Sequence, residues 1–261
     1  MTAPQATLGR TPQHQFDVSI GCLPLRLRIP EEPLRAAASA RYSAFTASHA
    51  HPFTISCNDS VAASNSDPEF SCTFGNAVLK IFASESSFAG VGNEYALDGL
   101  LRMFLSWRLL PHTGFLLHAA TVVRNGRAFV FTGRSGAGKS TVASLAPAGS
   151  VLTDEISLLR FEDGVWRAYG TPFWGEFRAA GSNVSAPVAG IFRLLQSATN
   201  QVASLHPMEF LRILLPNILF FSSDLAANQR LLEILGQAVQ QISGYTLDFR
   251  RDATFWEALP A

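Results

Sequence analysis

Gly133-Arg134-Ser135-Gly136-Ala137-Gly138-Lys139-Ser140, followed by Thr141, sets glycine, lysine and hydroxyl side chains at the spacing G-x-x-x-x-G-K-[ST]. Glycine tolerates positive φ, so successive backbone N–H groups can turn inward and meet phosphate oxygens. A helix opening at Lys139 would add the positive end of its dipole. The Lys139 ammonium can reach β- and γ-phosphates, and the Ser140 hydroxyl can ligate Mg²⁺. An apolar run, RAFVFTG, precedes the loop and a helical stretch follows it, which is the context such a loop requires. Residues 133–141 are therefore the candidate phosphate-binding loop. Arg134 occupies a variable position in it.

A phosphate loop of this kind needs a carboxylate near the magnesium. Asp154 and Glu155, in VLTDEISLL, lie fifteen positions after Lys139. That distance holds one short helix and one strand, so the pair is expected on the strand beside the loop's own strand. Apolar residues on both sides place it at a buried strand end. One acid can hold Mg²⁺ together with Ser140, and the other can accept a proton from an attacking hydroxyl or water. The sequence leaves open which does which. The only lysines are Lys80 and Lys139, so an N-K-x-D guanine-reading motif is excluded, and no L-S-G-G-Q transporter signature is present. These absences argue against a GTPase and a transporter ATPase.

The elements that must position these residues can be read from periodicity. FDVSIG and LPLRLRI alternate as two strands, and EEPLRAAASARY reads as a short helix. PFTISC and FGNAVLKIFAS read as further strands, with NDSVAASNSDPE as a polar loop between them. From Glu94, an apolar face of Leu97, Leu100, Leu101, Phe104 and Leu105 predicts a helix, on which Asp98 and Arg102 form an i,i+4 pair. GFLLHAATVV and RAFVFTG follow, joined at Asn125-Gly126, a strong hairpin signal. A helix over Lys139–Leu145 precedes strands SVLTD, ISLLRF and VWRAYG, the last two joined at Asp163-Gly164. The final third reads as a strand pair, AGIFRLLQS with NQVASLH, then helices PMEFLRILLPNILFF and SSDLAANQRLLEILGQAVQQI, a strand YTLDF and a short helix RDATFWEAL. The expected organisation is a disordered tail (1–15), an N-terminal α+β lobe (16–110) and a P-loop lobe (111–261).

Composition bounds the partners. Twenty basic and twenty acidic residues cancel, which argues against broad electrostatic binding to nucleic acid or an anionic membrane. Cys22, Cys57 and Cys72 show no C-x-x-C pairing and read as reduced thiols. The N-terminus lacks an apolar signal core, and the run Ile213–Phe221 is broken by Pro216, so a cytoplasmic protein is expected.

LLHAATVVRNGRAFVFTGRSGAGKST followed by VLTDEISLL resembles the HPr kinase/phosphorylase family and its relatives, including the kinase-like proteins of lasso-peptide clusters. The resemblance covers residues 94–180, and GYTLDFRRDATFWEAL resembles the closing strand and helix of the kinase-like members. It implies a mixed α/β fold with a nucleotide-binding core of the phosphoenolpyruvate-carboxykinase type. It also implies that His118 lies near the phosphates, that Asp154 and Glu155 supply metal ligation and the base, and that GTPFWGEF approaches the site. Members of that family often form homo-oligomers, and a homo-oligomer is compatible with this chain. True HPr kinases carry Asp-Asp where this chain has Asp154-Glu155, and their HPr-binding features are not recognisable here.

The expected activity is transfer of the γ-phosphate of ATP to a hydroxyl, a serine of a peptide or small protein. Lys139 would neutralise the transferred group. The alternatives are a small-metabolite kinase, for instance on free serine, and an ATP-hydrolysing or nucleotide-sensing module. Around Pro172, Phe173 and Trp174 are either core or a substrate wall. Glu176 and Arg178 are further candidates in the same segment.

Overall fold

The computed structural model describes residues 15–47, 54–58, 70–74, 77–81, 85–89, 93–175 and 181–260. The expected tail up to residue 14, the polar loop after Asn58, Glu176 and Arg178 lie outside them, while Gln15 at the tail's end already belongs to a strand. The chain is a mixed α/β protein built on two sheets.

The first sheet holds β1 (Gln15–Ile20), β2 (Leu23–Arg28), β3 (Thr54–Asn58), β4 (Phe70–Phe74), β5 (Ala77–Ile81) and β6 (Glu85–Ala89) in the order β1-β2-β3-β6-β5-β4. α1 (Glu32–Arg41) links β2 to β3. FGNAVLKIFAS is not one strand. Phe74 ends β4 and Ala77 begins β5, its antiparallel partner.

α2 (Glu94–Arg108) crosses to the second sheet. Asn93 caps it, its side chain accepting from the backbone N–H of Tyr95 and Ala96 at 3.1 and 3.0 Å. The predicted apolar face is buried: Leu97, Leu100, Leu101, Phe104 and Leu105 are fully inaccessible. They pack in one apolar cluster with Leu25 and Leu27 of β2 and with Leu116, Ile156 and Leu158 of the second sheet. The expected Asp98–Arg102 pair does not form. Asp98 instead binds Arg41 and Tyr42, and Arg102 binds Glu155. Both side chains turn off the helix, Asp98 to the buried Arg41 and Tyr42 and Arg102 to the half-buried Glu155, where contacts are less screened than in an i,i+4 pair on a solvated face.

The second sheet runs β11-β10-β7-β8-β12-β15-β13, made of β7 (Gly114–Arg124), β8 (Arg127–Thr132), β10 (Ile156–Glu162), β11 (Val165–Tyr169), β12 (Ser185–Gln196), β13 (Gln201–Ser204) and β15 (Gly244–Phe249). β9 (Val151–Thr153) and β14 (Ile218–Leu219) both pair with β7. Because β11 also pairs with β12, the ladder β7-β8-β12-β11-β10 closes on itself. Asn125 and Gly126 both have positive φ, 51° and 74°, as do Asp163 and Gly164 at 51° and 81°, so both tight hairpins form where the sequence placed them. β8 alternates: Ala128 and Val130 face α4 (Pro207–Leu214) and α5 (Leu225–Gln241), while Phe129 and Phe131 face α3 (Lys139–Ser144) and α6 (Phe255–Ala258).

Three expectations are corrected in this sheet. β12 and β13 do not pair, because β15 lies between them, parallel to β12 and antiparallel to β13. PMEFLRILLPNILFF is helical only to Leu214. Pro216 cannot donate a helical hydrogen bond, so the chain makes one 3₁₀ turn over Leu215–Asn217 and enters β14. The acidic pair follows β9, which neighbours β7 rather than β8, so β7 separates it from the loop's strand.

Candidate active site

β7 is the rail on which the site is assembled. At its midpoint the carbonyl of His118 accepts from the Thr132 hydroxyl at 3.0 Å, which ties β7 to the residue just before the phosphate loop. The next N–H, of Ala119, donates to the carbonyl of Glu155 at 3.0 Å, which ties β7 to the acidic pair. One dipeptide thus sets the distance between loop and acids.

The loop itself turns at Gly133, Gly136 and Gly138, with φ of 151°, 77° and 115°. A Cβ at Gly138 would stand 2.9 Å from the Phe249 ring, so glycine is needed there for space as well as for φ. Ala137 points into the core beside Phe131 and Val142, and it contributes to the loop through its backbone. Arg134 and Ser135 are exposed. Lys139 is buried, and its ammonium donates to the carbonyls of Gly133 and Arg134 at 2.8 and 3.3 Å. The carbonyl of Gly136 accepts from Gln196 at 2.6 Å and from Arg251 at 3.3 Å.

The acids sit at the corner between β9 and β10. Thr153 Oγ1 accepts from the N–H groups of Glu155 and Ile156 at 3.4 and 3.3 Å. Thr171, fully buried, donates to the Ile156 carbonyl at 2.8 Å and so pins the corner from the other side. Asp154 is buried and accepts from the Gly175 N–H at 3.0 Å. Glu155 accepts from Arg102 of α2 at 2.8 Å.

These pieces line one cavity of ≈ 390 Å³: His118, Ser135, Gly136, Gly138, Lys139, Ser140, Thr141, Asp154, Glu155, Gly175 and Arg251. The structure therefore brings together His118, most of the loop and both acids. Gly133, Arg134 and Ala137 line instead a larger cavity of ≈ 1180 Å³ on the loop's other side, with Arg193 and Arg212. His118 is half-buried, and burial first, then the charges of Lys139 and Arg102, hold its pKa below the ordinary imidazole value. It is a neutral imidazole at pH 7.

GTPFWGEF divides at Phe173. Phe173 is core, whereas Trp174 and Gly175 line cavities. Sequence reasoning missed Thr153, Thr171, Arg102, Gln196 and Arg251. Arg102 carried a signal, being an arginine amid the apolar positions of α2. Thr153 adjoins Asp154 in the chain, and Thr171, Gln196 and Arg251 reach the site only through the tertiary fold.

Two carboxylates and a hydroxyl beside a lysine are oxygen donors of the kind that could hold Mg²⁺. Among the described residues no group of three or more His, Cys, Asp or Glu side chains forms a metal cage. No described helix is long and apolar enough to cross a membrane. Cys22 is exposed, and burial pushes the Cys57 thiol up to about 12.

A family model described as SynChlorMet cassette protein ScmC matches residues 101–218, a stretch that runs from α2 through the loop and acids to β14. Among solved structures, the Hpr(Ser) kinase/phosphatase from Coxiella burnetii is similar at 13% identity and a TM-score of 0.27, over 48% of this chain and 89% of that one. Overlap this slight leaves the fold to be described by its own sheets. No curated protein matches the chain.

Proposed function

We propose that the chain is an ATP- and Mg²⁺-dependent phosphotransferase acting on a hydroxyl, a serine of a peptide or small protein. One observation carries this reading: the phosphate loop, Lys139, Ser140 and two adjacent carboxylates converge on a single cavity. A bare phosphate cradle needs no second carboxylate. A transfer site needs one for the metal and one for the proton.

Ser140 and one acid would hold Mg²⁺, which when bound neutralises charge on the phosphates. The loop N–H groups orient the triphosphate, and Lys139 exchanges its loop carbonyls for phosphate oxygens. The other acid takes the proton of the acceptor hydroxyl. As that oxygen bonds to the γ-phosphorus, the bond to the bridging oxygen breaks and ADP departs with the electron pair. His118, neutral, can donate one hydrogen bond to a phosphate oxygen without competing for the metal. Positioning and electrostatics supply the rate.

The test is γ-labelled ATP added to the purified chain with host extract. Label is expected to pass to a peptide or protein species, and Lys139→Ala and Asp154→Ala are expected to abolish transfer while circular dichroism is retained. Wild-type turnover in either variant overturns the assignment. Release of ADP at full rate with no labelled acceptor favours hydrolysis instead.

A further inference from the structure

Glu155 stands between two cavities. The phosphate-side cavity is described above. On the other side lies a cavity of ≈ 760 Å³ walled by Tyr95 and Met103 of α2, Trp174, Leu219 and Phe221. Among the described residues, Glu155 and Gly175 alone line both. Asp154 lines the phosphate side alone. We propose that this second cavity is the acceptor site, that Glu155 is the carboxylate facing the acceptor hydroxyl, and that the cavity takes an uncharged segment with an apolar or aromatic residue beside the hydroxyl. The proposal rests on the phosphotransfer reading and adds to it the sidedness of the acids and the class of acceptor.

Among the described residues the cavity wall holds two cations and two anions, and each finds its partner within the wall. Arg41 donates through Nε to Asp98 at 3.0 Å and makes a second, closer contact through Nη2, while the Tyr42 hydroxyl donates to the same carboxylate at 2.6 Å. Arg102 binds Glu155 at 2.8 Å. Among the described lining residues no charge is left over. The ammonium and carboxylate of a free amino acid would leave water there without a counter-charge, which is costly. A peptide segment brings neither. The mouth is apolar and available, with Tyr95 59% and Phe221 43% exposed. Trp174 is fixed beneath the Arg41 guanidinium, 3.8 Å from the ring centre, so it presents a rigid wall.

The step balances within the proposed reaction. The acceptor O–H passes its proton to Glu155, its oxygen bonds to the γ-phosphorus of ATP, and ADP leaves. Glu155 then returns the proton to water. Arg102 is a positioning residue. It also lies 5.2 Å from the Phe173 ring, which holds its guanidinium in line to aim the carboxylate.

The experiment uses the full chain with a non-hydrolysable ATP analogue and three probes: N-acetyl-Ser-Phe-amide, N-acetyl-Ser-Asp-amide and L-serine. Probe binding is read by saturation-transfer NMR and nucleotide binding by calorimetry. The apolar probe is expected to bind, roughly tenfold more tightly than either other probe. Tyr95→Ser and Phe221→Ser, both at exposed positions, are expected to weaken it roughly tenfold with nucleotide affinity unchanged. L-serine binding as tightly as the apolar probe, no binding of the apolar probe, or indifference to both variants overturns the acceptor assignment and leaves the nucleotide reading standing. Loss of nucleotide binding in the unmutated chain overturns that reading itself. With ATP, Arg102→Ala is expected to lower kcat with KM for the apolar probe retained, and Arg102→Lys to restore part of it. An equal fall in both variants, or a change in KM alone, overturns the positioning role.

Discussion

The two cavities that meet at Glu155 are built in opposite ways. The phosphate-side cavity draws on two short stretches, 135–141 and 154–155, with His118, Gly175 and Arg251 as neighbours. Its surface is backbone amide, hydroxyl and charge. The second cavity gathers the end of α1, one face of α2, Trp174-Gly175 and the segment after β14. Its surface is aromatic and aliphatic, and its charges are already paired. A site for a constant, highly charged donor can be encoded locally, because polar groups at fixed spacing are sufficient. A site for a variable acceptor needs a shaped apolar wall, and such a wall exists only where remote elements pack. β14 illustrates this: its two residues pair with Leu116 and Leu117 of β7, and that pairing carries Leu219 and Phe221 to the cavity.

The contrast can be broken most sharply at Asp98. Its carboxylate and the Arg41 guanidinium are both about 95% buried, with side-chain exposures of 5% and 4%. Asp98→Ala leaves that cation unpaired and is expected to lower stability by roughly 3–5 kcal/mol, read as the urea midpoint. Nucleotide affinity of the folded fraction should hold, because Asp98 touches nothing on the phosphate side. Loss of affinity in step with stability would mean that the two cavities are one unit. On the other side, Lys139→Ala is expected to abolish transfer with the urea midpoint little changed. Gly175 sits on the seam. A Cβ there would stand 3.2 Å from both Asp154 Oδ2 and Glu155 Cβ, so Gly175→Ala should push the acids apart and slow transfer on the order of tenfold, with both ligands still binding.

The smallest effect is a pH dependence. The folded state holds His118 below its ordinary value of 6.5. As pH falls through that value the unfolded chain takes up the proton first, so stability declines with falling pH and is flat above it. His118→Gln should shallow that decline between pH 7.5 and 5.5. It should not remove it, since burial and the charges of Arg108 and Arg160 hold His112 low as well. Bound triphosphate brings negative charge beside the ring, and the NMR titration of His118 should then move upward. A titration that ignores nucleotide would separate His118 from the phosphates.

Much of the donor half was legible in the residues alone. The loop, its flanking strand and helix, and both tight hairpins follow from φ preferences of single residues and from alternation, which act over a few positions. Elsewhere local rules misdirected. Asp98 and Arg102 have ideal i,i+4 spacing, yet each finds a partner outside the helix, buried for Asp98 and half-buried for Arg102. Adjacent strands usually pair, yet β15 arrives from forty residues on to separate β12 from β13. A fifteen-residue apolar stretch reads as helix, yet Pro216 ends it and its last residues join β7.

The sequence by itself determined a strand, a glycine turn and a helix that can hold phosphate, and two acids close enough in the chain to serve it. These depend on backbone freedom and short-range hydrogen bonds, which travel with the segment that carries them. Tertiary structure alone decided that β7 spaces loop from acids, that Glu155 turns to Arg102 while Asp154 turns to Gly175, and that an apolar cavity opens behind Glu155. Each of those is a contact between segments far apart in sequence. Their partners are chosen by burial and charge compensation across the whole fold, which no local spacing records.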